Sequence, residues 1–276
     1  MNENDYSMPA ALTIAGSDSG GGAGIQADIK TFSANLVYAS SVITAITAQN
    51  TVSVDLIHDI PPHIVDAQLK SVLSDIPIKS VKIGMLSNSN LIEVVAKNMC
   101  EFKVENIVLD PVMIAKSGDR LLKSSAIEAL IDCIIPISTL VTPNIPELYA
   151  ITGADNVSEE DRYLIVMAKE ILKIGAKNVL VKGGHLSGNI LTDTLIKDDG
   201  SEVRYSHKRI NTNNTHGTGC TMSSAIAANL AKGFSVENAV RLSAYWLHGA
   251  IEANFKIGQG NSPVNHLYEW QHKSMK

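Results

Sequence analysis

Ala11-Leu12-Thr13-Ile14-Ala15-Gly16-Ser17-Asp18-Ser19-Gly20-Gly21-Gly22-Ala23-Gly24-Ile25-Gln26-Ala27-Asp28 passes from an apolar run, through a glycine-rich turn, into an amphipathic segment. The run 11–16 has the length and the unbroken apolar character of a buried strand. Beyond the turn, Ile25, Ile29, Phe32 and Leu36 share one stripe, which predicts a helix over about 25–36. A strand feeding a helix through a tight turn is the repeating unit of an α/β fold.

The same unit recurs along the chain. Strands are expected over 41–49, 80–85, 106–110, 140–142 and 178–182, with polar-alternating strands near 190–196 and 202–205. Helices are expected after Pro61-Pro62, near 90–100, over 146–151 and 159–174, then over 221–232 and 236–254. Such alternation implies a mainly parallel sheet with helices on both faces. Ligands of such sheets sit beyond the carboxyl ends of the strands, so Gly16, Gln49, Met85, Asp110, Thr142 and Lys182 should converge.

Composition narrows the function. The chain has 276 residues and no linker-like tract, which favours one domain over 11–276 behind a short tail, 1–10. A hydrophobic fraction of 45% supports a sizeable core. Net charge is −5, with no basic stripe and no aromatic platform, so nucleic acid is not expected as a partner. No apolar stretch reaches spanning length and the start lacks a signal-peptide pattern, so no membrane association and a cytoplasmic location are expected. The three cysteines have no metal-ligand spacing; Cys100 and Cys133 are expected as buried hydrophobes.

Gly22-Ala23-Gly24-Ile25-Gln26-Ala27 fits the glycine pattern of a dinucleotide fold, but 41–49 contains no acid to hold a ribose. A nicotinamide cofactor is therefore not expected, and no Walker A run occurs. The turn can equally be a packing device. Asn214-Thr215-His216-Gly217-Thr218-Gly219-Cys220, followed by the small-residue stretch Thr221-Met222-Ser223-Ser224-Ala225, is more telling. A helix starting there aims unpaired N–H groups and its positive end at an anion, and glycine allows close approach. The chemistry suggested is transfer of a charged phosphoryl group.

Cys220 is expected to have its thiol pKa lowered by the helix start, making it a candidate base; the alternative is an inert wall residue. Thr218 could cap the helix. Asn144-Ile145-Pro146-Glu147 offers an amide and a carboxylate for magnesium, or else a helix-capping pair. Lys182, before Gly183-Gly184, could reach a polyphosphate or stay solvated at a strand end. His185, His207, His216 and His266 show no metal-ligand spacing, which points to surface or supporting roles.

Together these segments resemble the ribokinase-like superfamily, and within it the bacterial hydroxymethylpyrimidine/phosphomethylpyrimidine kinases of thiamine biosynthesis. The likeness rests on 15–28 above, Thr47-Ala48-Gln49-Asn50-Thr51, Lys82-Ile83-Gly84-Met85-Leu86, Asp110-Pro111-Val112-Met113, Thr142-Pro143-Asn144-Ile145-Pro146-Glu147, Lys182-Gly183-Gly184-His185 and 214–221. It implies a doubly wound sheet, ATP with Mg2+, and a small pyrimidine alcohol as acceptor, phosphorylated to the monophosphate and then the diphosphate. A homodimer is implied as well.

By the same likeness Gly217, Thr218 and Gly219 form the anion hole, and Cys220 stands where most relatives carry an aspartate base. Asp110 and Glu147 would manage the metal; Lys182, Asn144 and Thr215 would serve the nucleotide phosphates. Gln49 would pair with the aminopyrimidine edge, since one primary amide offers a donor and an acceptor. Asp28 and the Gly16 backbone would add polar contacts, with Met85 and Val112 as apolar walls. Pyridoxal lacks the amino edge, yet pyridoxal kinase remains the same-fold alternative, and a non-catalytic ligand-binding regulator the alternative of another class. The family often has glycine where this chain has Ser262, before Pro263-Val264, which bears on the adenine side.

Overall fold

A computed structural model describes residues 8–113, 124–154, 158, 160–183 and 188–271. His185, Gly184, Glu159 and tail residues 1–7 lie outside the described residues. In chain order the first elements are β1 (Ala10–Ala15), α1 (Gly24–Ala34), β2 (Tyr38–Ile43), β3 (Ala45–Gln49), β4 (Val54–Asp59), α2 (Pro62–Leu73) and β5 (Ile78–Ile83). Next come α3 (Ser89–Glu101), β6 (Ile107–Leu109), α4 (Ser124–Ala129), β7 (Leu140–Val141), α5 (Ile145–Thr152), α6 (Asp161–Ile174) and β8 (Asn178–Val181). The last are β9 (Ile190–Lys197), β10 (Glu202–Lys208), α7 (Thr218–Ala231), α8 (Val236–Glu252) and α9 (Tyr268–Gln271).

Eight strands form one sheet in the order β10-β9-β8-β7-β6-β5-β1-β2. From β2 to β8 every pairing is parallel, while β9 and β10 extend the edge antiparallel. The sheet grows outward from β1 in both directions, as a doubly wound fold requires. Side chains alternate between two cores, as the pleat dictates. Leu12, Ile14, Leu109, Val141 and Val179 pack under α2, α3 and α6. Their neighbours Ala11, Val108, Leu140 and Leu180 pack with Phe32 of α1, Met222 and Ile226 of α7 and Val240 of α8. Because helix α7 is enclosed between the sheet and its neighbours, all its residues from Thr221 to Ala231 are buried and most are small.

Three expectations need correction. The stretch 41–49 is not one strand: Thr44 breaks it, donating its N–H to Ala15 O (3.0 Å) and its hydroxyl to Met85 O (2.8 Å). The chain then leaves the main sheet, and β3 pairs with β4 in a two-stranded flap that the sequence reading did not anticipate. Helix α1 ends at Ala34, and Leu36 is a left-handed (φ 59), exposed residue; Val37 takes the core position instead. Cys100 is exposed rather than buried, and Cys133 is only partly buried, packed at the margin of the core.

Candidate active site

The carboxyl ends of the central strands open into a cavity of about 760 Å³. Gly16, Met85, Asp110 and Lys182, each one or two residues past its strand, line it together. Thr142 lies behind the wall, buried, its hydroxyl 3.4 Å from Asp110 Oδ1. Gln49 arrives by a different route, on the flap. The register pairs Thr47 with Ile57 and Gln49 with Val54, so the pleat turns these four inward to the cavity. Ile46, Ala48 and Leu56 face outward.

Helix α7 begins at Thr218 behind Gly217, which adopts φ +75. Among the described residues no side chain caps this start; Thr218 does not cap as expected, since its hydroxyl donates to Thr215 O at 3.1 Å. The Thr218 N–H donates to Thr215 O at 3.4 Å, while no described side chain takes the N–H groups of Gly219 and Cys220, and Thr215, Gly217, Thr218, Gly219 and Cys220 all line the cavity. The arrangement can hold an anion.

The glycine turn after β1 locks onto this helix start. Asp18 accepts N–H from Gly20 (2.8 Å), Gly22 (3.0 Å) and Ala23 (2.8 Å), and its Oδ2 lies 2.9 Å from His216 Nε2. Burial opposes ionisation of Asp18, but His216 and these donors hold its carboxyl below the ordinary value. A Cβ on Gly22 would stand 2.4 Å from His216 Cδ2, and one on Gly24 2.3 Å from Gly16 O. The Gly-x-Gly spacing thus serves the packing of the turn. Ser262 does not line the cavity; its carbonyl accepts the His216 N–H at 3.2 Å.

A charged cluster lies beside this helix start, where a Cβ on Gly219 would stand 3.6 Å from Lys182 Nζ and 3.7 Å from Asp110 Oδ2. Lys182 Nζ is 2.7 Å from Asp110 Oδ1 and 4.0 Å from Glu147 Oε2. The Asn144–Glu147 pair is a capping box on α5, with Asn144 Oδ1 accepting Glu147 N–H (2.9 Å) and Glu147 Oε2 accepting Asn144 N–H (2.8 Å). Both residues also line the cavity, so capping does not take them away from its wall. Burial, reinforced by Asp110, pushes the Glu147 carboxyl up to about 7 despite Lys182. Burial alone would raise Asp110 too, but Lys182 and Lys82 hold it below its ordinary value.

Cys220 departs from expectation. Burial, with Asp28 and Asp110 adding to it, pushes its thiol up to about 11, although Lys82 works the other way. Burial and the two carboxylates outweigh Lys82 and the Gly24 N–H, so the resting side chain is a thiol.

Asp28, expected at the substrate, does not line the cavity: it is fully buried and bonded to Thr13, Lys82 and Ser224. Val112 does line it. Leu191, Ile210, Met222, Ala244, Leu247 and Ile251 give the cavity a further apolar stretch from β9, α7, α8 and the segment before α7. Sequence reasoning missed Asp18, Lys82 and Asp193, the last accepting the Gly183 N–H at 2.8 Å. For Lys82 the signal was present: a charge inside an apolar strand must be paired or used.

A magnesium ion fits this donor set. Asp110 and Glu147 put two carboxylates beside one ammonium on the wall, and Mg2+ takes one or two carboxylates plus phosphate oxygens and water. Among the described residues no group of three or more His, Cys, Asp or Glu could hold a metal by itself.

A family model described as phosphomethylpyrimidine kinase matches residues 18–265. The hydroxymethylpyrimidine/phosphomethylpyrimidine kinase of Rhizobium meliloti (strain 1021) is 50% identical over 262 residues, covering 94% of this chain and 97% of its own. Among solved structures, an ADP complex of Bacillus subtilis pyridoxal kinase superposes with a TM-score of 0.89 at 35% identity, over 96% of this chain and 99% of that one. A phosphomethylpyrimidine kinase from Clostridium difficile 630 superposes with a TM-score of 0.78 at 44% identity, over 89% of this chain and 100% of that one. Among the described residues no helix is long and apolar enough to cross a membrane.

Proposed function

The chain belongs to the phosphomethylpyrimidine kinase family, and from that membership we propose how its residues divide the work of the reaction. It is a phosphotransferase of thiamine biosynthesis, using ATP to phosphorylate 4-amino-5-hydroxymethyl-2-methylpyrimidine and then the monophosphate. The observation that carries the reading is the uncapped start of α7 facing the cavity beside Lys182 and Asp110.

The amides of Gly217, Thr218, Gly219 and Cys220 receive the γ-phosphoryl group, whose charge they meet with preorganised donors. Lys182, Asn144 and Thr215 serve the nucleotide phosphates. Asp110 and Glu147 hold magnesium, directly or through water; when bound, the ion offsets phosphate charge. The acceptor oxygen bonds to the γ-phosphorus as the bond to the ADP oxygen breaks, and the hydroxyl proton passes to Cys220 Sγ. Since the resting group is a thiol, only its ionised fraction acts as base.

Gln49 reads the amino and ring-nitrogen edge of the pyrimidine, stacked between Met85 and Val112, with the Gly16 backbone adding a polar contact. Asp28 acts from behind the wall, through Lys82. Support for the amide role comes from the flap, where Gln49 Oε1 accepts the Thr47 hydroxyl at 3.2 Å and both residues line the cavity. A homodimer belongs to this reading, supported by the apolar outer face of the flap, where Ile46 is 51% and Leu56 73% exposed. So do a cytoplasmic location, a single domain over 11–276 and the absence of nucleic-acid partners.

The test is a product assay with ATP, Mg2+ and three acceptors side by side: the pyrimidine alcohol, its monophosphate and pyridoxal. Formation of the monophosphate and the diphosphate is expected. A clear preference for pyridoxal would overturn the acceptor assignment, and no ATP-dependent product at all would favour a ligand-binding regulator.

A further inference from the structure

Lys82 lies inside β5, a strand otherwise built for the core, and its side chain is fully buried. A buried ammonium is costly unless it is paired. Asp28 pairs with it through both oxygens, at 3.0 Å and 2.8 Å. Asp28 also accepts the hydroxyls of Thr13 (2.6 Å) and Ser224 (2.7 Å), so its capacity is spent inside the fold. The ammonium has three N–H groups, and among the described residues Asp28 is its only hydrogen-bond partner, leaving one N–H unspent.

Placement decides where that N–H can go. Lys82 lines the cavity with Cys220, Gly16 and Met85, whereas Asp28 does not. Lys82 thus stands between the carboxylate and the cavity, with 0% of its side chain exposed in the ligand-free protein. Ser224, which anchors the same carboxylate, lies one helical turn beyond Cys220 on α7, so the ammonium and the sulfur-bearing turn are tied to one anchor, Asp28. Gly84 leaves room for it: a Cβ there would stand 2.8 Å from Lys82 Nζ.

We propose that Lys82 is a catalytic residue, offering its remaining N–H and its charge to the acceptor oxygen as that oxygen attacks phosphorus. The proposal rests on the kinase reading of this cavity. The bond changes are those already given: the acceptor oxygen joins phosphorus, the ADP oxygen leaves, and the proton goes to Cys220 Sγ. Lys82 keeps its own protons, contributing a hydrogen bond and its charge but no proton transfer. Burial would lower its pKa, but the facing Asp28 charge overrides this and keeps the ammonium charged.

The rival explanation is that Lys82 only neutralises Asp28. The double variant Lys82→Met/Asp28→Asn separates the two, because removing a buried pair together leaves no stranded charge. Steady-state kinetics and thermal melts are compared for wild type, the double variant, Lys82→Ala and Cys220→Ala. The expected result is a folded double variant with nearly unchanged KM for ATP and kcat lower by about 10²–10³. Lys82→Ala should recover part of its kcat with added methylamine, in a saturable manner. A double variant within about tenfold of wild-type kcat, a loss of about 1.4 kcal/mol or less, or a folded Lys82→Ala that ignores methylamine, overturns the role of Lys82. Wild type without product overturns the kinase reading instead. Full activity in Cys220→Ala removes the base alone and leaves Lys82 to stand on its own result.

Discussion

Gly217 and Gly22 touch backbone to backbone: a Cβ built on Gly217 would stand 1.9 Å from the Gly22 carbonyl oxygen. Gly217 also holds φ +75, which side-chain-bearing residues disfavour. The helix start to which the proposal assigns the phosphoryl group is thus positioned by contact with the turn after β1. Gly217→Ala should lose about 1–2 kcal/mol of stability from backbone strain alone. The displaced amides should cost about 10²–10³ in kcat. Urea melts and steady-state kinetics check both, and an active, equally stable alanine variant would show that the two loops are not rigidly joined.

Glu147 links the site to pH. Its folded carboxyl titrates at about 7, above its unfolded value, because burial disfavours the charge. Between about 4.5 and 7 the folded state binds the extra proton, so stability falls as pH rises through that window. Glu147→Gln keeps the capping geometry and removes the titration. In magnesium-free buffer the variant should gain about 1–3 kcal/mol on wild type between pH 5 and pH 8. A pH-independent difference in urea melts would contradict the assignment.

Cys220 should react slowly. A thiol at about 11 is scarcely ionised at neutral pH, so alkylation by iodoacetamide in the ligand-free protein should rise steadily with pH. Peptide mapping should find the exposed Cys100 modified before Cys220. Preferential labelling of Cys220 at pH 7 would mean that the helix start governs its acidity after all.

Gln49 should set acceptor choice. In the proposed role its amide pairs with an edge that pyridoxal lacks, and an unpaired buried amide costs about 1–3 kcal/mol. Gln49→Ala should therefore lower kcat/KM for the pyrimidine alcohol far more than for pyridoxal. Equal losses on both acceptors would place the residue elsewhere in the mechanism.

Much of this architecture was legible from residue order alone. Ile14, Ile83, Leu109 and Val141 fall in short apolar runs, and each run did become a strand of the main sheet. The residues just after those strands, Gly16, Met85, Asp110 and Lys182, converge because a parallel sheet points all its carboxyl ends the same way. The flap was not legible. Its strand β3 continues an apolar run begun in β2, and it is turned away by long-range bonds, among them those of Thr44 to Ala15 and Met85. Nor could local pattern place Asp28, whose partners Thr13, Lys82 and Ser224 come from three distant elements. Cys220 shows the same limit: the helix start is local and visible, whereas the desolvation that raises its pKa depends on the packing around it.

The central claim is that the γ-phosphoryl group crosses the cavity against the first turn of α7. A structure of the protein with ADP, Mg2+, aluminium fluoride and the pyrimidine alcohol tests it most directly. The fluoride mimic should lie about 2.7–3.1 Å from the amides of the Gly217–Cys220 turn, with the acceptor oxygen beside Cys220 Sγ. A mimic bound away from that turn, with the acceptor oxygen out of reach of both Cys220 and Lys82, would contradict the account.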